Sequence, residues 1–243
     1  MLQKVNILFI LLFSLSLESF SQEEDSLENQ LTYHKEWTGM AFLHTHGYGL
    51  NVRKGYHVAW DKKRVFEIDF CSMQHAKNYV ISASQISNTK SYTYGELNSV
   101  AVLRLGYGMQ KLLAGKTLRN NVEIRWLYQG GFSLAILKPS YFELDMPGDE
   151  VSYARFSNES KNYIKGGAAY GMGFNEISVI PGVYAKTAVA FEYASRYNYI
   201  RAVEIGLIID AYYKDVPILA ETKNYPYFVS FYLGFTYGKK WYR

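Results

Sequence analysis

The chain has 243 residues and a net charge of +4, and its basic residues are spread along it without a basic block. This distribution argues against nucleic-acid binding, so we expect no nucleic-acid partner. Aromatic residues make up 17% of the chain, including 23 tyrosines, while the mean hydropathy is only -0.16. Tyrosine-rich strands with a modest mean hydropathy are typical of a β-barrel in which every second residue faces water.

Residues 1–21 have the pattern of a secretory signal peptide. Lys4 supplies the positive charge, residues 5–17 form a short apolar segment, and Ser19 and Ser21 are the small residues of a cleavage site. We expect this peptide to be removed on export, with the polar segment 22–36 as a flexible lead-in to a barrel that spans 37–243. Cys71 is the single cysteine, so an internal disulfide and a cysteine-based metal site are excluded.

Seven segments after the lead-in alternate between apolar and polar residues. They are 38–53, 64–72, 99–110, 122–136, 182–193, 201–212 and 227–238. In segment 122–136 one face carries Val122, Ile124, Trp126, Tyr128, Phe132, Leu134 and Ile136. The other face carries Glu123, Arg125, Gln129, Gly131, Ser133 and Ala135, with Leu127 as the exception. A period of two indicates strands, and roughly 9–11 residues suffice for a strand to cross a bilayer, so we predict lipid on the apolar face and a polar lumen on the other.

The first segment, 38–53, is the hardest to orient. If its later odd-numbered residues, such as Asn51 and Arg53, face inward, then Met40, Phe42, Tyr48 and Leu50 face outward. Seven strands also conflict with the even strand number of single-chain bacterial barrels. Either an eighth strand is formed from 31–37, or segment 38–53 contains two strands.

The connections between the segments alternate in length. Those at 54–62, 111–121 and 197–199 are short, whereas 73–97 and 139–181 are long and 213–225 is intermediate. Outer-membrane barrels have short periplasmic turns and longer extracellular loops. We therefore predict that the longer connections, the longest of them irregular, face the exterior. The closing residues 238–243 supply basic and aromatic groups typical of a membrane interface.

Several glycine-spaced segments resemble known proteins. They are HTHGYGLNVRKG at 44–55, YGELNSVAVLRLGYGMQ at 94–110, IPGVYAKTAVAFEY at 180–193 and YLGFTYGKK at 232–240. With the signal sequence, these segments make the chain similar to the small outer-membrane β-barrel proteins of Bacteroidota. The resemblance implies an all-β, antiparallel, up-and-down transmembrane barrel of about eight strands, and it carries over no catalytic residues.

Nine charged residues fall on predicted inward positions: Glu67, Asp69, Arg104, Glu123, Arg125, Lys186, Glu192, Glu204 and Asp210. The interior of a barrel of about eight strands is just wide enough for side chains to fill. Charges there must pair, because an unpaired buried charge is very costly. We predict a salt-bridged plug, with a narrow path for ions or small solutes as the alternative.

His44 and His46 form the one histidine pair and would lie on one face of a strand, about 7 Å apart. They are the candidates for a barrel-embedded lipid-modifying enzyme, although spacing identifies no partner serine. We identify no catalytic constellation, no metal site and no cofactor motif.

The expected function is therefore that of an integral outer-membrane barrel with a structural or interaction role. Its expected partners are outer-membrane lipid, the barrel-assembly machinery, and proteins that bind loops 73–97 and 139–181. A soluble periplasmic β-barrel or sandwich that binds a lipid-like ligand is a further alternative.

Overall fold

The computed structural model describes residues 35–75, 77–81, 90–115, 122–145, 151–157, 160–193, 199–220 and 222–241. The predicted signal peptide, 1–21, and residues 22–34 of the predicted lead-in lie outside these ranges. In chain order the strands are β1 (Lys35–His44), β2 (Gly47–His57), β3 (Lys62–Met73), β4 (Val80–Ile81), β5 (Tyr92–Thr93), β6 (Asn98–Ala114), β7 (Glu123–Pro139), β8 (Tyr141–Asp145), β9 (Val151–Arg155), β10 (Ile164–Gly167), β11 (Ser178–Glu192), β12 (Tyr199–Tyr212) and β13 (Tyr227–Trp241). Two single-turn 3₁₀ helices, Lys161–Tyr163 and Phe174–Glu176, complete the described elements. No helix among the described residues is long and apolar enough to cross a membrane.

Eight of these strands close a barrel in the order β1–β2–β3–β6–β7–β11–β12–β13, and β13 pairs back with β1. Every neighbouring pair is antiparallel, so the predicted all-β, up-and-down barrel is confirmed. The missing eighth strand arises because segment 38–53 contains two strands, β1 and β2. Thr45 and His46 form the turn between them.

This two-residue turn also corrects the predicted orientation of the first strand. His44 pairs with Gly47 and Phe42 with Gly49, so even-numbered residues of β1 share a face with odd-numbered residues of β2. Met40 and Phe42 are each 3% exposed and face the lumen, so the prediction that they face outward is wrong. Reading one continuous strand through a hairpin keeps the wrong parity on one side of the turn.

The outer wall of the barrel is apolar. Trp126 and Phe132 on β7 are 42% and 71% exposed, and Leu233 on β13 is 52% exposed. Arg125, the neighbour of Trp126 in the chain, is buried. The predicted facing of segment 122–136 is confirmed along β7, which alternates between exposed and buried positions. A closed barrel with an apolar outside and charged side chains inside has the architecture of a transmembrane β-barrel.

The connections sort by length onto the two ends of the barrel. Residues 58–61, 115–122 and 193–198 join strands at one end, which we call the short-turn end. Residues 45–46, 74–97, 140–177 and 213–226 join strands at the other, the long-loop end. The predicted alternation is confirmed, with the Thr45–His46 turn as an additional short connection at the long-loop end.

The longest connection was predicted to be irregular, but it contains a small sheet, and together the long connections form a crown. By crown we mean the described parts of 74–97, 140–177 and 213–226. It contains the hairpin β4–β5 and the sheet β10–β8–β9. Leu97 N–H donates to the Ile218 carbonyl at 2.8 Å, and Ser140 N–H donates to the Leu97 carbonyl at 3.1 Å. The three connections are therefore bonded to one another above the barrel.

At the long-loop end, apolar side chains fill the barrel interior, and some of them come from the crown itself. The buried cluster there includes Met73, Val102, Leu137, Ile180, Val216, Ile218, Leu219 and Phe228. Val216, Ile218 and Leu219 come from the 213–226 connection, which dips into the barrel mouth. The interior is thus apolar at the long-loop end and charged below it.

Glycines set how closely the lumen side chains pack. Gly106 and Gly131 pair across β6 and β7, and the Tyr184 side chain lies over Gly106 on the inner face. A Cβ added to Gly131 would collide with the backbone carbonyl of Leu105. At Gly39, on the outer face of β1, a Cβ would meet nothing closer than 3.9 Å.

We predict that Gly131→Ala lowers the free energy of unfolding in detergent micelles by about 1–3 kcal/mol, because the added methyl group overpacks the β6–β7 contact. Urea unfolding followed by intrinsic fluorescence measures this change. The matched variant Gly39→Ala should unfold like the wild type. Equal unfolding of both variants would contradict the close β6–β7 packing.

Candidate functional site

All nine predicted lumen charges lie at inward-facing positions of the barrel strands. Six of them, Glu67, Asp69, Arg104, Lys186, Glu204 and Asp210, are no more than 2% exposed. Charges this deeply buried must be compensated by other protein groups. Together with further charged side chains, the nine predicted charges form three layers along the barrel axis.

The central layer holds three carboxylates with two cations. Lys186 Nζ lies 2.5 Å from Glu67, 3.6 Å from Asp69 and 3.9 Å from Glu204. The guanidinium of Arg53 donates to Glu204 at 2.8 and 3.0 Å and to Glu67 at 2.6 Å. These bonds join β2, β3, β11 and β12 across the lumen.

The layer nearer the long-loop end is built on Arg104. Its Nε and Nη2 atoms each donate to one oxygen of Asp210, both at 2.8 Å, in a bidentate pair. Ser133 donates a further hydrogen bond to Asp210 at 3.1 Å. Bidentate arginine–carboxylate pairs are strong and directional, so this pair connects β6 to β12 in a defined orientation.

The layer at the short-turn end contains side chains that the sequence analysis missed. Lys63 pairs with Glu36 at 2.8 Å, and Lys240 pairs with the predicted Glu192 at 2.9 Å. The predicted Arg125 and Glu123 pair with each other in the same layer.

Strand parity, extended to the true strand ends, could have identified Glu36, Lys63 and Lys240. Arg53 belongs to the positions that the sequence placed inward only conditionally. Glu36 lies on the inward face of β1, Lys63 on that of β3 and Arg53 on that of β2. Lys240 was assigned to the membrane interface, but it turns inward and reaches Glu192. The true strand ends lie beyond the apolar segments on which the prediction relied.

The three layers nearly balance in charge. The described lumen holds seven carboxylates, Glu36, Glu67, Asp69, Glu123, Glu192, Glu204 and Asp210, and six cations, Arg53, Lys63, Arg104, Arg125, Lys186 and Lys240. The difference is 7 minus 6, one net negative charge. A cavity of about 20 Å³ lies between the central layer and the layer at the short-turn end. Such a space suits about one water molecule.

The histidine pair lies at the lumen mouth, beside the two-residue turn. The ring centroids of His44 and His46 are 6.5 Å apart. His44 Nε2 lies 3.1 Å from the Ser72 carbonyl, and the His46 N–H donates to His44 Nδ1 at 3.3 Å. Since Nδ1 of His44 accepts, its Nε2 carries the proton and donates to Ser72.

The structure brings a serine to His46 that the sequence could not indicate. Ser230 Oγ lies 2.9 Å from His46 Nδ1, although the two residues are 184 positions apart. Burial and the neighbouring His75 lower the pKa of His46, which favours a neutral ring. Ser230 is 0% exposed, which leaves its oxygen out of reach of a substrate.

No group of three or more His, Cys, Asp or Glu side chains in the described part of the chain is arranged to hold a metal ion. Cys71 is buried, with its sulfur 3.2 Å from Arg104 Nη1.

The crown presents strongly exposed aromatic side chains. Tyr79, Tyr170 and Tyr213 are 70%, 78% and 86% exposed. The ammonium of Lys138 lies 4.4 Å from the centre of the Tyr170 ring, a cation–π contact. Glu96, by contrast, is enclosed between the connections, and burial raises its pKa above the ordinary value.

No protein-family model matches the chain, and no curated protein matches it. Among solved structures, it is similar to Neisserial surface protein A (NspA), with 10% identity, 86% of this chain and 97% of that chain covered, and a TM-score of 0.43. It is also similar to Ail, the attachment invasion locus protein of Yersinia pestis, in complex with the heparin analogue sucrose octasulfate. The identity is 6%, the match covers 86% of this chain and 99% of that chain, and the TM-score is 0.42. For the N-terminal β-barrel domain of Pseudomonas aeruginosa OprF, the identity is 8%, the match covers 86% of this chain and 98% of that chain, and the TM-score is 0.38. The function proposed below rests on the residues of this chain.

We predict that Lys186→Met lowers the free energy of unfolding in micelles by about 3–5 kcal/mol, because it leaves buried carboxylates without their shared cation. Urea titration measures the loss. Lys214→Met, at an exposed crown position, is the control and should change little. The double variant Lys186→Met/Glu67→Gln should recover part of the loss, and an unchanged stability of Lys186→Met would contradict the role of the central layer.

Proposed function

We propose that this protein is an integral outer-membrane β-barrel with a structural or interaction role, of the kind found among the small outer-membrane barrel proteins of Bacteroidota. One observation carries the proposal: between the two rims of the wall, apolar and aromatic side chains face outward, while the charged side chains of the same strands face inward. A soluble barrel or sandwich that binds a lipid-like ligand requires the opposite arrangement, with apolar side chains lining the interior.

A closed lumen is part of the proposal. The charged layers below the crown are paired across the barrel, and the apolar cluster with Val216, Ile218 and Leu219 occupies the mouth. The cavity of about 20 Å³ at the short-turn end holds far less than a hydrated ion needs. These observations favour a plug over the alternative of a narrow path for ions or small solutes.

The crown is the surface proposed to meet partners. Loops 73–97 and 139–181 supply most of it, and they present exposed tyrosines such as Tyr79 and Tyr170. Tyrosine is enriched where proteins bind one another. The crown would face the exterior, after export through the signal peptide 1–21 and insertion by the barrel-assembly machinery, with outer-membrane lipid around the wall.

A barrel-embedded lipid-modifying enzyme is the second candidate, favoured by the hydrogen bond between His46 and Ser230. A serine nucleophile needs a histidine base within hydrogen-bonding reach, and that condition is met. It also needs contact with the substrate carbonyl, and the full burial of Ser230 argues against this. The structural or interaction role is therefore preferred.

We predict that Leu233→Arg, in the middle of β13, destabilises the barrel in lipid vesicles by about 2–4 kcal/mol, because a charge on the lipid-facing wall must leave water. Denaturant titration of vesicle-inserted protein, scored by heat-modifiable mobility on gels, measures this. Tyr213→Arg, at an 86% exposed crown position, is the control and should be tolerated. A soluble protein would tolerate both substitutions equally, which would overturn the proposal.

For the lumen, we predict that the purified barrel, once inserted into a planar bilayer, produces no stepwise current above that of the bare bilayer. In the proposed closed lumen, the paired charges and the apolar mouth interrupt any water-filled path. Insertion is verified separately by heat-modifiable mobility in vesicles of the same lipid. Reproducible unitary current steps would refute the closed lumen and support the channel alternative, with the one excess carboxylate favouring cations.

A further inference from the structure

The two rims of the barrel differ in charge on their outer faces. At the short-turn end, the last two outward positions of the eight barrel strands include seven basic residues: Lys35, Lys54, Lys62, Arg64, Lys111, Arg201 and Lys239. We call these seven residues the basic rim. At the long-loop end, the last two outward positions of the same strands contain one basic residue, Lys138. None of these positions at either end is occupied by Asp or Glu.

Most residues of the basic rim have an aromatic residue as their partner on a neighbouring strand. Lys54 pairs with Trp37, which pairs on its other side with Lys239, which in turn pairs with Tyr199. The ammonium of Lys54 lies 5.2 Å from the Trp37 ring centre.

The same pairing continues elsewhere on the rim. Four further basic–aromatic pairs are Arg64 with Tyr56, Lys35 with Trp241, Arg201 with Tyr237, and Lys111 with Trp126. Lys62 is the exception, because it pairs with Lys111. The basic rim therefore runs around the wall from β12 through β13, β1, β2 and β3 to β6.

The carboxylates at this end do not neutralise the basic rim, because they are engaged inside. Glu36 pairs with Lys63, Glu192 with Lys240 and Glu123 with Arg125. Among the described residues of the short-turn end, Asp61 is the carboxylate outside the lumen, and it lies in the turn between β2 and β3. The positive charge is thus directed toward whatever surrounds the wall at this level.

We propose that the basic rim binds the headgroups of anionic phospholipids in the leaflet that surrounds the short-turn end. This inference rests on the proposed membrane location of the barrel. Aromatic rings settle at the headgroup level, and long basic side chains extend their charged ends from the apolar wall to that level. There each Lys or Arg gains about 1 kcal/mol from an anionic surface. The rim at the long-loop end, with Lys138 alone, lacks this preference, so the two ends of the barrel differ in the lipid they favour.

The test inserts the full chain into vesicles made of equal parts phosphatidylcholine and phosphatidylglycerol, extracts it gently, and counts the retained lipids by native mass spectrometry. The wild type should retain phosphatidylglycerol in clear excess over phosphatidylcholine. The variant K54Q/R64Q/K239Q should lose this excess by at least about fivefold, since even one such contact is worth that factor. The control variant K77Q/K165Q/K214Q removes the same charge from exposed positions at the long-loop end and should keep the wild-type excess.

Salt provides a second measurement that needs no substitution. The phosphatidylglycerol excess of the wild type should fall as salt is raised, because exposed charges are screened. No excess in the wild type, an excess that salt leaves unchanged, or equal loss in both variants would overturn the proposal. Failure of the wild type to insert into either pure phosphatidylcholine or mixed vesicles, seen as absent heat-modifiable mobility, would instead refute the membrane location itself.

Discussion

Burial of charge inside a closed wall is the constraint on which this structure depends. Once the strands alternate, every inward charge must find a partner inside the barrel, because the interior of a barrel of about eight strands is just wide enough for side chains to fill. Arg53 on β2 meets Glu67 on β3 and Glu204 on β12. Since a register shift by one residue would turn each of these charges toward lipid, the network selects one register.

The wall and the crown satisfy their backbone hydrogen-bonding groups in different ways. The wall satisfies its backbone groups by closing on itself, and its apolar face is the part suited to lipid. The crown satisfies its own backbone groups by small sheets and by bonds such as that between Leu97 and Ile218. Residues 45–46 form only a two-residue turn at the long-loop end, and His46 there is half-buried. His44 and Ser230 are buried.

Several features of the site could not be read from the chain alone. The hydrogen bond between Ser230 and His46 joins residues 184 positions apart, and the pairing of Arg104 with Asp210 spans 106 positions. Strand parity places such side chains inside the barrel, but it does not give their level along the barrel axis or the strand that carries their partner. Lys240 shows the same limit: its inward position follows from the parity of β13, but its pairing with Glu192 on β11 depends on the closed barrel. The crown sheets were also missed, because strands of two to five residues leave too short an alternation to recognise.

The sequence by itself determined the barrel class, the strand count to within one, the outward and inward faces of most strands, and the alternation of short and long connections. It could do so because a period of two along one strand is a local property of neighbouring residues. The tertiary structure alone decided that β1 and β2 are separate, which charges pair, how the mouth is filled, and that the basic residues of six strands meet in one rim. Those features depend on the closure of the barrel and on its register, which bring distant parts of the chain to the same level.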